Sequence, residues 1–172
     1  STNAVTIGPA TARYNLALNL AIEGKHEQAI LEYRNALAIN PELKDAYSGL
    51  GILLTWKGNL DAAAANFSQA IKLDEADPIS HARLGMIYLK QQRYSEAQST
   101  FYTAVTLDSS LYEATYGLGL TAARTANFHK AIEHFTKAIE QRPSSLESHT
   151  NLGVAYVKLG ELNLAAQAYS RV

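Results

Sequence analysis

Five histidines (His26, His81, His129, His134 and His149) are the side chains of this chain best suited to hold a metal or move a proton. A zinc pair on one helix needs imidazoles about four residues apart, with a carboxylate close by. His129 and His134 are five apart, which turns them toward different helical faces, and His81 and His149 are far apart in sequence. All five are therefore expected in surface or packing roles. Gly117-Leu118-Gly119-Leu120-Thr121-Ala122 has the G-x-G-x-x-A spacing of a dinucleotide loop. Such a loop joins a strand to the start of a helix. These glycines fall inside a helical pattern instead, so the match carries no nucleotide chemistry. Asn66-Phe67-Ser68 spells a glycosylation sequon, but its centre is an aromatic expected in the core. The carboxylates are scattered, with no pair suited to acid–base work. The residues predict no catalysis, no metal and no cofactor.

Composition narrows the field further. The absence of cysteine excludes disulfides and thiolate metal sites. Fifteen Lys and Arg against 16 Asp and Glu leave a net charge of −1, which offers no electrostatic footprint for nucleic acid. No apolar run approaches the roughly 20 residues of a membrane span, so no membrane insertion by this segment is expected. With 172 residues and 47% hydrophobic content, the chain can bury a core as one domain or repeat array. It opens on Ser1 and stops inside a helical pattern, as expected of a piece of a longer protein.

The elements that position these residues follow from a 34-residue period. Segments begin at Ala10, Lys44, Pro78, Tyr112 and Leu146, giving repeats 10–43, 44–77, 78–111, 112–145 and 146–172 after a leader of residues 1–9, expected to be flexible. Position 7 is always leucine (Leu16, Leu50, Leu84, Leu118, Leu152), and position 8 is always small (Ala17, Gly51, Gly85, Gly119, Gly153). Position 20 is always alanine, and position 24 is aromatic in Tyr33, Phe67, Phe101, Phe135 and Tyr169. Apolar residues recur three and four apart, which is helical periodicity. Two amphipathic helices per repeat are predicted, with the small residues letting them approach and the aromatic filling the space around the contact. Gly24, Gly58 and Gly160 mark the turn between them, Asn59 stands where it can cap the next helix, and Asp77-Pro78 reads as an N-cap followed by proline at the first helical position. Gln92 and Ala126 replace the turn glycine, so those turns are expected to be less well capped. Repeats that cannot bury their own apolar face must stack.

The pattern resembles the tetratricopeptide repeat, W-x₂-L-G-x₂-Y followed by A-x₃-F and then A and P, over residues 10–172. The departures lie at position 4 (Arg13, Tyr47, His81, Thr115, His149) and at position 11, which is Tyr only in Tyr88 and Tyr156. The resemblance implies an all-α solenoid of tandem antiparallel helix pairs, wound as a right-handed superhelix. It further implies that positions 2, 5, 6, 9, 12 and 13 of each first helix face a concave groove. Position 9 then reads Leu18, Ile52, Met86, Leu120 and Val154, apolar throughout. Position 13 reads Ile22, Trp56, Lys90, Arg124 and Lys158, and position 5 contributes Tyr14 and Tyr116. An oily floor with a basic edge over repeats 3 to 5 points to a protein or peptide partner. First helices about 8–10 Å apart would present that floor to about 12 residues of extended chain.

Two other occupants of position 9 compete with a ligand: neighbouring first helices, or the leader itself through Val5 and Ile7. The family's carboxylate clamp would place its residues at Tyr14, Leu18, Gly49, Ile79 and Arg83, of which only Arg83 suits it; this argues against a heat-shock chaperone tail. The asparagine ladder of glycosyltransferase-linked members is broken as well, at Gly49, Arg83 and Gly117. The expected function is a non-catalytic scaffold that takes a partner segment in its groove. The alternatives are self-assembly into a homo-oligomer through an uncapped end around Leu152, Tyr156 and Leu159, or substrate recruitment within a larger protein.

Overall fold

A computed structural model of the chain describes residues 8–170, and each repeat within it is an antiparallel pair of α-helices. No strand occurs among the described residues. The chain divides into two compact units, one reaching to Glu75 and the other starting at Ala76. The first holds α1 (Pro9–Ile22), α2 (His26–Ile39), α3 (Lys44–Trp56) and α4 (Leu60–Leu73). The second holds α5 (Pro78–Lys90), α6 (Tyr94–Leu107), α7 (Tyr112–Arg124), α8 (Phe128–Gln141), α9 (Leu146–Lys158) and α10 (Leu162–Tyr169). Four of the five first helices start on the expected residue, and α1 starts one earlier because Pro9 occupies its first turn behind Gly8. Residues 1–7, including the Val5 and Ile7 of the self-occlusion reading, lie outside the described residues.

The turn inside each pair has one construction. In repeat 2 the Gly58 N–H donates to Thr55 O at 3.0 Å and the Asn59 N–H to Leu54 O at 2.9 Å. Two of the carbonyls orphaned at the end of α3 are thereby satisfied, in the Schellman arrangement. The same two bonds recur around Gly24, Gln92, Ala126 and Gly160. The exchange of glycine for Gln92 and Ala126 therefore leaves the capping bonds intact. What it changes is the backbone, since Gln92 and Ala126 hold φ of 61° and 58°, where a Cβ is disfavoured.

N-caps are more varied. Asp77 accepts from the Ile79 N–H at 3.0 Å and from the Ser80 hydroxyl at 2.7 Å, with Pro78 behind it, as the sequence predicts. Asn59 precedes α4 but makes no side-chain cap bond, whereas Asn127 accepts from Lys130 N at 3.3 Å.

Close packing explains the invariant small and aromatic positions. A Cβ at Gly51 would lie 2.9 Å from the Phe67 ring, and one at Gly119 would lie 2.6 Å from Phe135. In repeats 2 to 5 the aromatic thus lies directly against the position-8 backbone of its own first helix. It also reaches into the following repeat. Tyr33 would meet a Cβ at Gly49 at 2.5 Å, and Phe101 one at Gly117 at 2.3 Å. Phe101 and Phe135 are fully buried, each contributing about 1.5–3 kcal/mol by leaving water. In the first unit α2 packs on α3; in the second, α6 packs on α7 and α8 on α9. First helices also touch directly, α1 with α3, α5 with α7 and α7 with α9, so each unit carries a row of first helices.

Candidate functional site

The position-9 side chains are not enclosed by their neighbours. Leu18, Ile52 and Val154 remain 41%, 44% and 42% exposed, while Met86 and Leu120 are half-buried. The two half-buried ones lean on cores beneath them: Met86 on the cluster of Ala82, Phe101 and Leu118, and Leu120 on that of Ala122, Phe135 and Leu152.

In the first unit the row of α1 and α3 ends in hydrocarbon. Ile22 is 77% exposed and Trp56 68%. The Trp56 indole meets the His26 ring edge-on at 4.3 Å, so the first residue of α2 props the last residue of α3. The adjacent Lys57 is tied to Glu27 at 2.7 Å.

In the second unit the same register is cationic. Lys90, Arg124 and Lys158 occupy the last turns of α5, α7 and α9. All three are exposed and carry no ion pair among the described residues. The opposite ends of α7 and α9 are acidic. Glu113 pairs with Arg142 at 2.9 Å, and Glu147 accepts from the Ser145 hydroxyl at 3.2 Å.

Both position-5 tyrosines are engaged in packing. Tyr14 is tilted against Tyr33 at 5.9 Å; burial, and then the Asp45 carboxylate, raise its phenol above the ordinary 10.0. Tyr116 stacks on Tyr112 at 5.6 Å and tilts against Phe135 at 5.7 Å. Burial, then Tyr112 and Glu147, push its phenol upward against the hydrogen bond that Asn151 donates at 2.9 Å. Both phenols therefore stay protonated at neutral pH, offering an aromatic face and no charge.

A buried polar cluster holds α7 to α9. The Tyr112 hydroxyl lies 2.6 Å from Ser145 Oγ and 2.9 Å from Ser148 Oγ, with the Arg142 guanidinium 3.8 Å above its ring. Gln141 Nε2 donates to Ser109 O at 2.9 Å and to Thr115 Oγ1 at 3.1 Å. His149 is buried with its Nε2 3.0 Å from Pro143 O, the packing role expected of position 4. Sequence reasoning missed Tyr112 and its serine partners because nothing in a repeat signature links position 1 to the following loop. Ile79 and Val157, exposed at positions 2 and 12, were within reach of the periodicity but are absent from the predicted site.

One expectation needs correction. Leu152 is not exposed at the last repeat; it is buried among Ala122, Phe135, Ala155 and Ala168, and Tyr156 and Leu159 are half-buried. Leu162 and Leu164 face outward there instead. Thr136, Ile139, His149, Leu152, Tyr156, Leu164, Gln167 and Ala168 line a shallow pocket of about 140 Å³ beside them. Among the described residues no group of three His, Asp or Glu side chains could hold a metal, and no carboxylate is buried. No helix there is long and apolar enough to cross a membrane.

Known proteins share this architecture. Profiles of the TPR repeat match residues 18–55 and 53–92, and those of the tetratricopeptide repeat match 79–111 and 113–172. Over 57 residues the chain is 37% identical to the Photosystem I assembly protein Ycf3 of Acaryochloris marina (strain MBIC 11017), a match covering 33% of this chain and 34% of that one. The chain thus spans about a third of the length of that relative. MamA (41-end) from Desulfovibrio magneticus RS-1 superposes with a TM-score of 0.87 at 23% identity, over 96% of this chain and 94% of its own. PilF of Pseudomonas aeruginosa gives 0.84 at 24% identity, over 94% and 74%. YrrB, described as a TPR protein with an unusual peptide-binding site, gives 0.76 at 23% identity, over 94% and 84%. The likeness to these structures is one of fold. With its 34-residue signature, its helix pairs and these matches along nearly the whole chain, the protein belongs to the tetratricopeptide repeat family of protein-interaction scaffolds.

Proposed function

We propose that this chain is a non-catalytic adaptor whose first-helix row takes a segment of another protein. The observation that carries the reading is the apolar position-9 row, left open to solvent at Leu18, Ile52 and Val154. Apolar side chains exposed along the first helices of a unit mark an interaction site. Burying such side chains contributes about 1.5–3 kcal/mol each, against an association cost of about 4–15 kcal/mol. The balance suits micromolar, exchangeable binding. The site list Tyr14, Leu18, Ile52, Trp56, Met86, Lys90, Tyr116, Leu120, Arg124, Val154 and Lys158 belongs to this proposal, with the two tyrosines acting through their ring faces.

The test is a selection of random peptides of about 12 residues on the immobilised protein. Leu18→Glu, Ile52→Glu and Val154→Glu are each expected to weaken the selected peptides that use that position more than about tenfold, with the melting temperature moving less than about 4 °C. These three positions are better probes than Met86 or Leu120, whose half-burial would mix binding with stability. A selection that enriches nothing, or binding indifferent to all three variants, overturns the reading.

Exposed Leu162 and Leu164 favour a second reading, self-association through the last helix pair. Sedimentation of the wild type and of a Leu162→Ser, Leu164→Ser double variant across a concentration series decides it, since a wild type that stays monomeric excludes it.

A further inference from the structure

The second unit repeats two things once per first helix. One is an apolar side chain on the floor (Met86, Leu120, Val154); the other is an exposed cation in the last turn (Lys90, Arg124, Lys158), with no ion pair among the described residues. Around this edge, Glu96 is occupied by Arg93, and Glu161 stands exposed three residues beyond Lys158. Packed helices lie about 8–10 Å apart, so floor and edge both recur at that interval. A partner that satisfies the two together must offer one apolar and one anionic group at the same repeat. Polyproline II does so, because its three residues per turn advance about 9.3 Å and return each residue class to the same face. An α-helix advances about 10.5 Å in seven residues but carries its apolar stripe at closer intervals, leaving side chains with no floor to meet.

We infer that the first-helix row of the second unit binds an extended acidic segment of a partner protein, with a carboxylate at every third residue facing Lys90, Arg124 and Lys158 and an apolar side chain between them on the floor. The inference rests on the peptide-binding reading above and names the partner's chemistry. Cations in the last turn of a helix also relieve the macrodipole, and that role alone would call for no ligand.

Fluorescence anisotropy with a labelled peptide of four Glu-Leu-Pro triplets separates the two. The acidic peptide is expected to bind about tenfold more tightly than its Gln-Leu-Pro counterpart. That advantage is expected to fade as salt rises past about 0.1 M, where the screening length is about 10 Å. The K90Q/R124Q/K158Q variant should lose the advantage and bind the two triplet peptides with equal affinity. Its melting curve registers any macrodipole contribution separately. Equal affinity for the two triplet peptides overturns the inference, as does tighter binding of a helical peptide with glutamate at every seventh position. Failure of both triplet peptides overturns it too. In each of those cases peptides from the random selection still bind if the adaptor reading is right, so the two failures are distinguishable.

Discussion

The two units close their hairpins with identical backbone bonds but on different residues. The first turns on Gly24 and Gly58; the second turns on Gln92, Ala126 and Gly160. They also end their first helices differently, in Ile22 and Trp56 on one side and in Lys90, Arg124 and Lys158 on the other. The backbone signature is therefore held constant while the exposed register varies. A repeat fold permits this, because the residues that pack a repeat and those that end its first helix are different residues.

The largest contrast to break is between the aromatic that packs and the aromatic that shows. Phe101→Ala in the second unit removes a fully buried ring and is expected to cost about 3–5 kcal/mol by chemical denaturation. Trp56→Ala in the first unit, at an exposed site, is expected to cost no more than about 0.5 kcal/mol. Comparable losses would mean that Trp56 is structural and the first unit's groove is closed.

Next comes the groove itself. Ile22→Glu with Trp56→Glu is expected to weaken apolar peptides that use the first unit more than tenfold, or about 1.4 kcal/mol. Binding of the acidic triplet peptide at the second unit should not change. Titration calorimetry of both peptides on one variant reads the two sites separately, and loss of both would show that the registers do not act independently.

The turns offer a smaller, reciprocal pair. Gly58→Ala forces a Cβ into φ of +80° and is expected to cost about 1–2 kcal/mol. Ala126→Gly relieves the same conflict at 58°, less the entropy of a glycine, for a net gain of about 0.5–1 kcal/mol. Urea midpoints of the two variants should move in opposite directions.

The smallest effect concerns acid. His134 on α8 is half-buried beside the Tyr102 ring at 6.3 Å. Burial lowers its pKa, Glu133 raises it and Lys137 and Lys130 lower it again, leaving it below the ordinary 6.5. A depressed folded value means that the unfolded chain takes up the proton first. Stability is therefore intact above about pH 6.5 and declines as pH falls from there through the folded value. His134→Gln is expected to shallow that decline below about pH 6.5 without altering the midpoint well above it. An unchanged slope would place the acid sensitivity elsewhere.

Much of the architecture was legible before any coordinates. The 34-residue period, the helix pairs, the turn at position 15, the Asp77–Pro78 start and the close approach of the helices at the small residues all rest on spacing and on local backbone preference, which a chain carries with it. The predicted groove positions rest on the family resemblance alone, as residues that share one register.

Burial was not legible, because it depends on which neighbour arrives across the repeat boundary. Position 9 looks uniform in sequence. Yet Met86 and Leu120 sink toward the cores around Phe101 and Phe135, while Leu18, Ile52 and Val154 stay open. Tyr116 is carried in by Tyr112, Phe135 and Asn151, and Leu152 is covered by side chains from three other helices. The division after Glu75 likewise follows a boundary between two repeats whose signatures are alike. Periodic sequence determines which face of each helix is oily. Only the packed structure decides how much of that face another polypeptide can still reach, since exposure is a property of the surroundings and not of the residue.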